Sequence, residues 1–177
     1  ILKALKMAPA GRYHIFGADI NSNCPQFEMV ETGMTLPPAT TPEFIETVLA
    51  FCAKQNIRAV FHGCEPELLA YSKARERFAA AGVLLPINLL ETINLCMDKV
   101  RSSQFLETQG LAPPRFVLAA NFPQAQELEC FPLVIKPHIG SGGSKDCFVV
   151  QDNRELQAIL TFLGVASDNP VMVQEYV

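Results

Sequence analysis

The sequence predicts an α/β protein in two modules: a small doubly wound parallel sheet over residues 1–96, then a smaller α+β module over residues 97–177. Three observations carry this. Strand-like and helix-like patterns alternate through the first half. The strand-like runs HIFGA and RAVFH are apolar on both faces, as strands buried between crossover helices are. After LAPPRFVL the pattern changes to shorter strands interleaved with helices.

The elements follow in order. ILKALKMA reads as a helix to about Ala8, YHIFGAD as a strand, PEFIETVLAFCAKQN as a helix, RAVFHG as a strand, and PELLAYSKARERFAAAG as one long helix closed by Gly82, with VLLP after it. Asp98 is placed to cap the helix KVRSSQFLETQ, which ends at Gly110. The second module reads RFVLAA strand, FPQAQELE helix, LVIKP strand, DCFVVQ strand, NRELQAILTFLG helix and VMVQEYV strand. LVIKP and CFVV lie close in sequence on either side of a glycine-rich connection, which predicts an antiparallel hairpin with the glycines at its tip.

Composition narrows the functional classes. Hydrophobic residues make up 49% and charged residues 18%, without a low-complexity tract, so a folded core is expected. A net charge of -4 and no basic run argue against nucleic acid as a partner. The apolar runs fall far short of the ~20 residues that cross a bilayer, and no basic segment with an apolar h-region opens the chain. We expect a cytoplasmic protein with no membrane partner. Six cysteines without a C-x-x-C pair disfavour a zinc or redox motif and are expected to be mostly buried thiols of a reducing compartment. His14, His62 and His138 form no ligand cluster in sequence. Both ends look cut, the first because the chain opens on Ile1, so a piece of a longer protein is expected.

The stretch FPLVIKPHIGSGGSK concentrates the chemistry. An apolar strand delivers Lys136 to its end, and glycines at 140, 142 and 143 then allow backbone N–H groups to approach an anion without steric cost. A lysine about 4 Å from a phosphate charge interacts by roughly 4 kcal/mol at an effective dielectric near 20, before desolvation is subtracted. A lysine beside an apolar run and before Pro137 is a poor choice for a sheet interior, which a bound anion would explain. A P-loop is disfavoured because Lys145 is followed by Asp146 instead of Ser or Thr. A dinucleotide fingerprint is disfavoured because these glycines join two strands late in the chain. A flexible turn remains the plain alternative.

Lys99 in CMDK, Lys136 in VIKP and Glu175 in VQEYV stand in the order and contexts of the ATP-grasp superfamily, which the second module resembles. The first module, through FGADINSNCP, IRAVFHGCEPELL and FAAAGVLLPINLLETINLCMDK, resembles the Rossmann-like domain that precedes the ATP-grasp fold in carbamoyl-phosphate synthase large subunits, biotin carboxylases and related ligases. The resemblance implies a Rossmann-like pre-ATP-grasp domain followed by the first ATP-grasp subdomain. It implies that Lys99 and Lys136 contact ATP phosphates, Lys136 on the α-phosphate side, and that Gly140, Ser141, Gly142, Gly143 and Ser144 fold over the outer phosphates. It places Glu175 at the adenine amino group and the backbone of Tyr176 and Val177 along the adenine edge.

The activity so implied is that of an ATP-dependent ligase joining a small carboxylate to an amine or thiol through an acyl phosphate. The magnesium ligands are expected beyond Val177, so that the chain alone is inactive and holds no metal. Each assignment has a plainer counterpart. Lys99 can be a solvated first-turn residue, Glu175 a surface carboxylate and Lys145 a solvated hairpin lysine. Glu65 can cap a helix, and His138 carries no assigned role. A non-catalytic nucleotide-binding or regulatory module is the alternative function, and an ordinary small-molecule binder the third.

Overall fold

The computed structural model describes residues 1–140 and 145–177. They form two compact units, Ile1–Leu90 and Glu91–Val177.

In the first unit, α1 (Leu2–Lys6) precedes β1 (Phe16–Asp19), which pairs in parallel with β2 (Thr32–Thr35) from Phe16↔Thr32 to Asp19↔Thr35. A 3-10 helix, Pro25–Met29, makes the crossover. The sequence reading places no strand at TGMT, which has one methionine and a glycine to offer a pleated face. Its pairing comes from tertiary packing. A Cβ on Gly33 would stand 2.5 Å from Phe27 Cγ, so the missing side chain is what lets the Phe27 ring lie against the strand.

The helix α2 (Glu43–Gln55) buries Phe44, Val48 and Cys52, a stripe at four-residue spacing. Glu43 and Glu46 in its first turn and Lys54 in its last complement the helix dipole. Asn56 ends it in the left-handed region at φ 52°, which asparagine tolerates better than most residues.

The long helix expected next is divided into α3 (Glu65–Lys73) and α4 (Arg75–Ala80) at Ala74, whose N–H is shared between the carbonyls of Ala70 and Tyr71. Beyond the break, the Arg75 guanidinium reaches the carbonyls of Ile87 and Asn88. Both helices still feed one core, where Tyr71 lies 5.4 Å from Phe44 and 5.5 Å from Phe78 between ring centroids.

The strand expected at RAVFHG is reduced to one parallel bridge, Ala59↔Leu84. Leu84 donates to the Arg58 carbonyl and Val60 to that of Leu84. The next rung would need an N–H at residue 86, and Pro86 has none.

The second unit opens with α5 (Leu90–Met97), whose first residue closes the first unit, and α6 (Lys99–Thr108). The Asp98 carboxylate caps α6, accepting from the N–H groups of Val100 at 3.0 Å and Arg101 at 3.1 Å, as expected. A four-stranded sheet follows in the order β3 (Phe116–Ala119), β6 (Val171–Glu175), β4 (Leu133–Pro137), β5 (Phe148–Val150), every neighbour antiparallel. The β4–β5 pair is the predicted hairpin. The helices α7 (Phe122–Ala125) and α8 (Asn153–Phe162) are capped by Asn121 and Asp152.

Alternation along the strands sorts the second unit. Leu133, Ile135, Val150, Val171 and Val173 turn to one face and form the core with Leu156 and Leu160 of α8. Val134 and Lys136 of β4, with Met172 and Gln174 of β6, occupy the other face.

The cysteines depart from expectation. All six are free thiols, but Cys52 alone is buried, while Cys64 and Cys96 are exposed. Cys64 stands just ahead of α3, and Cys96 lies in the last turn of α5, one turn beyond Ile93, that helix's buried residue. Among the described residues, no helix is long and apolar enough to cross a membrane.

Candidate functional site

Lys136 sits near the end of β4 on the sheet face opposite the core, opposite Met172 on β6. Its Nζ donates a 2.6 Å hydrogen bond to Gln174 Oε1, and Gln174 Nε2 donates at 3.4 Å to the Pro114 carbonyl. Burial pushes the Lys136 ammonium below its ordinary pKa; Cys147 opposes this, and the nearby charge of Lys99 adds to it. The amide oxygen orients the ammonium without neutralising it. Among the described residues, the hydrogen-bond partner of this half-buried lysine is a neutral amide, which leaves its charge unpaired by a carboxylate there.

Lys99 joins Lys136 through the backbone as well as through its field. Its N–H donates at 2.9 Å to the His138 carbonyl, which ties the start of α6 to the residue following β4. His138 Nδ1 lies 3.8 Å from Asp98 Oδ1, the oxygen that also caps α6. The structure therefore gathers Asp98, Lys99, Lys136 and His138 at one end of the β4 strand.

The loop continues from there. Gly140 is exposed and has φ +75°, a conformation open to glycine at little cost. Ser141, Gly142, Gly143 and Ser144 lie outside the described residues. The chain resumes with exposed Lys145 and with Asp146 at φ 56°. Carrying the hairpin register one step beyond Ile135↔Phe148 sets Cys147 opposite Lys136, which accounts for its influence on the lysine.

Glu175 lies elsewhere. It pairs with Leu133 in the row of the core face, so its side chain and that of Lys136 leave the sheet on opposite sides. Arg115 grips its carboxylate: the backbone N–H donates to Oε1 at 2.9 Å and Nε to Oε2 at 2.9 Å. These bonds, the backbone one foremost, hold the Glu175 carboxyl below the usual glutamate range. Arg115 also reaches Cys130 Sγ at 3.3 Å. Beyond Glu175, Tyr176 and Val177 are exposed, and the Tyr176 N–H donates to the Pro132 carbonyl at 3.2 Å.

Glu65, in the first unit, is the first residue of α3. The carboxylate that closes this helix start is that of Glu67, which accepts from the Gly63 N–H at 2.6 Å. Among the described residues, no three His, Cys, Asp or Glu side chains are grouped to hold a metal ion.

Sequence reasoning missed Gln174 and Arg115. In VQEYV the adjacent Gln and Glu must face opposite sides of a strand, and which one shares the face of Lys136 depends on the β4–β6 register. The register was not legible in the sequence.

Comparison with known proteins gives a consistent picture. Residues 1–86 match the family model described as PylC-like, N-terminal domain. A carbamoyl phosphate synthase large chain from Mycobacterium sp. (strain JLS) is 30% identical over 105 residues, covering 57% of this chain and 9% of that protein. The biotin carboxylase of Campylobacter jejuni, solved with β,γ-ATP, is similar over 92% of this chain and 39% of its own, with 17% identity and a TM-score of 0.62. The N5-carboxyaminoimidazole synthetase of Staphylococcus aureus, solved with ADP, is similar over 93% of this chain and 41% of its own, with 14% identity and a TM-score of 0.68. The chain thus spans less than half of either structure and about a tenth of the curated relative. The fold class read from the sequence and the resemblance to ATP-grasp ligases are both borne out.

Proposed function

We propose that this chain, which opens with a PylC-like N-terminal domain and has the fold of the ATP-grasp ligases, is the N-terminal part of an ATP-dependent ligase. Its second unit supplies one wall of the nucleotide site. The observation that carries the reading is Lys136: a half-buried ammonium, held by a neutral amide and close enough to Lys99 to feel its charge, is an arrangement that a polyphosphate would satisfy.

In this reading Lys136 and Lys99 bind phosphate oxygens, and Gly140 offers its backbone to the outer phosphates. The backbone at Tyr176 and Val177 meets the adenine edge. The two lysines offset charge on the phosphates. Catalysis of phosphoryl transfer is mostly positioning and charge neutralisation. The carboxylate becomes an acyl phosphate, and an amine or thiol then displaces phosphate. Magnesium belongs to this chemistry. Its ligands are proposed to lie outside this chain.

The test is made on the full-length gene product. Supplied with ATP, magnesium, bicarbonate or another small carboxylate, and an amine, it should release ADP only when the carboxylate is present. Nucleotide binding with no carboxylate-dependent turnover over a broad panel would favour a non-catalytic nucleotide-binding module instead.

A further inference from the structure

We infer that Arg115 and Glu175 form a positioning pair that fixes the chain at Tyr176 and Val177, where the purine base docks, and that Glu175 acts through Arg115 without touching the base. The inference rests on the nucleotide reading above and gives Glu175 a role different from the adenine contact implied by the family resemblance.

Three features carry it. Glu175 and Arg115 are bound in both directions: the Arg115 N–H and Nε donate to the two carboxylate oxygens, each at 2.9 Å, while the Glu175 N–H donates to the Arg115 carbonyl at 2.9 Å. Charge-assisted bonds to a guanidinium with a backbone bond alongside make a carboxylate already bound at both oxygens, not one waiting for a ligand. Second, the carboxylate leaves the sheet on the side opposite Lys136, since Glu175 pairs with Leu133 of the core row and Gln174 faces the lysine. Third, the junction sits where the ladder stops. The last paired residues of β6 are Gln174, opposite Phe116, and Glu175, opposite Leu133; past them Tyr176 and Val177 are exposed.

A strand end leaving its ladder frays unless it is tied. Here it is tied from both neighbours. Arg115, immediately before β3, holds Glu175 from one side, and the Pro132 carbonyl, immediately before β4, takes the Tyr176 N–H from the other. A base recognised by main-chain groups gains from a chain already in place, because ordering it on binding would cost affinity.

The experiment compares wild type, Arg115→Ala, Arg115→Lys and Glu175→Gln in the full-length gene product. ADP and tripolyphosphate, which lacks a base, are titrated separately by calorimetry. Arg115→Ala and Glu175→Gln should each weaken ADP about tenfold while changing tripolyphosphate less than twofold, and Arg115→Lys should recover part of the loss. Amide hydrogen exchange on the ligand-free proteins should be faster at 175–177 in Glu175→Gln than in wild type, with the β4 and β5 amides unchanged. Equal ADP affinity in all variants, parallel losses for ADP and tripolyphosphate, or unchanged exchange at 175–177 would overturn the inference. So would a loss confined to Glu175→Gln with Arg115→Ala unaffected, which would instead make Glu175 a direct base contact. A wild-type protein that binds tripolyphosphate but no ADP overturns base docking at this edge, and one that binds neither overturns the nucleotide reading with it.

Discussion

Lys136 donates to Gln174 across the β4–β6 pair at 2.6 Å, on the face of the sheet that Glu175 turns away from. A lysine carried into a partly apolar sheet face thus has an amide as its hydrogen-bond partner among the described residues, and Gln174 is itself buried. The two side chains form one unit, and the first prediction measures it. In a double-mutant cycle with Lys136→Ala and Gln174→Ala, urea denaturation should return a coupling of about 0.5–1.5 kcal/mol. A coupling indistinguishable from zero would mean that the bond contributes nothing to the fold.

Lys136 should cost the fold stability. Its pKa is lowered by burial, so between the folded value and the ordinary lysine value the unfolded chain binds more protons. Stability contributed by this group therefore rises as pH increases through that window and is lowest below it. Lys136→Met should raise the melting temperature at pH 7, and its advantage over wild type should shrink towards pH 10. A variant that melts lower at pH 7 would show that the lysine is there for structure.

The Glu175 carboxylate behaves in the opposite sense. Its folded pKa is held below the unfolded value by Arg115, so its contribution is complete above about pH 4.3 and is lost as pH falls through the lower folded value. Thermal melts from pH 3 to pH 6 should show wild type above Glu175→Gln at pH 6, with the gap closing towards pH 3. A gap independent of pH would mean that the ion pair does not set it.

Gly33 should resist enlargement. A methyl group there would meet Phe27 at 2.5–2.9 Å, so Gly33→Ala should destabilise the first unit by roughly 1–3 kcal/mol, and Phe27→Leu should relieve part of that cost in the double variant. Chemical denaturation followed by far-ultraviolet circular dichroism reads both.

These residues also show where sequence reading succeeded and where it stopped. The Asp98 cap, the helix over PEFIETVLAFCAKQN and the β4–β5 hairpin follow from local rules that need no distant partner. Strand β2 did not, because TGMT becomes a strand through the Phe27 ring and the β1 ladder, both remote from its own pattern. RAVFHG looked like a full strand, but its ladder is limited by Pro86 on the partner segment. At the candidate site, Lys136 was legible as a cation out of place in an apolar run. Gln174 was not, since its face is decided by register, and neither was Arg115, whose partner lies 60 residues away.

Whether Lys136 binds the nucleotide phosphates is read by calorimetric titration of ATP with magnesium into the full-length gene product, wild type against Lys136→Ala. The variant should lose about 1.5–3 kcal/mol in binding free energy, the scale of hydrogen bonds to a charged group, while still melting cooperatively. Equal affinity in the two proteins would contradict it.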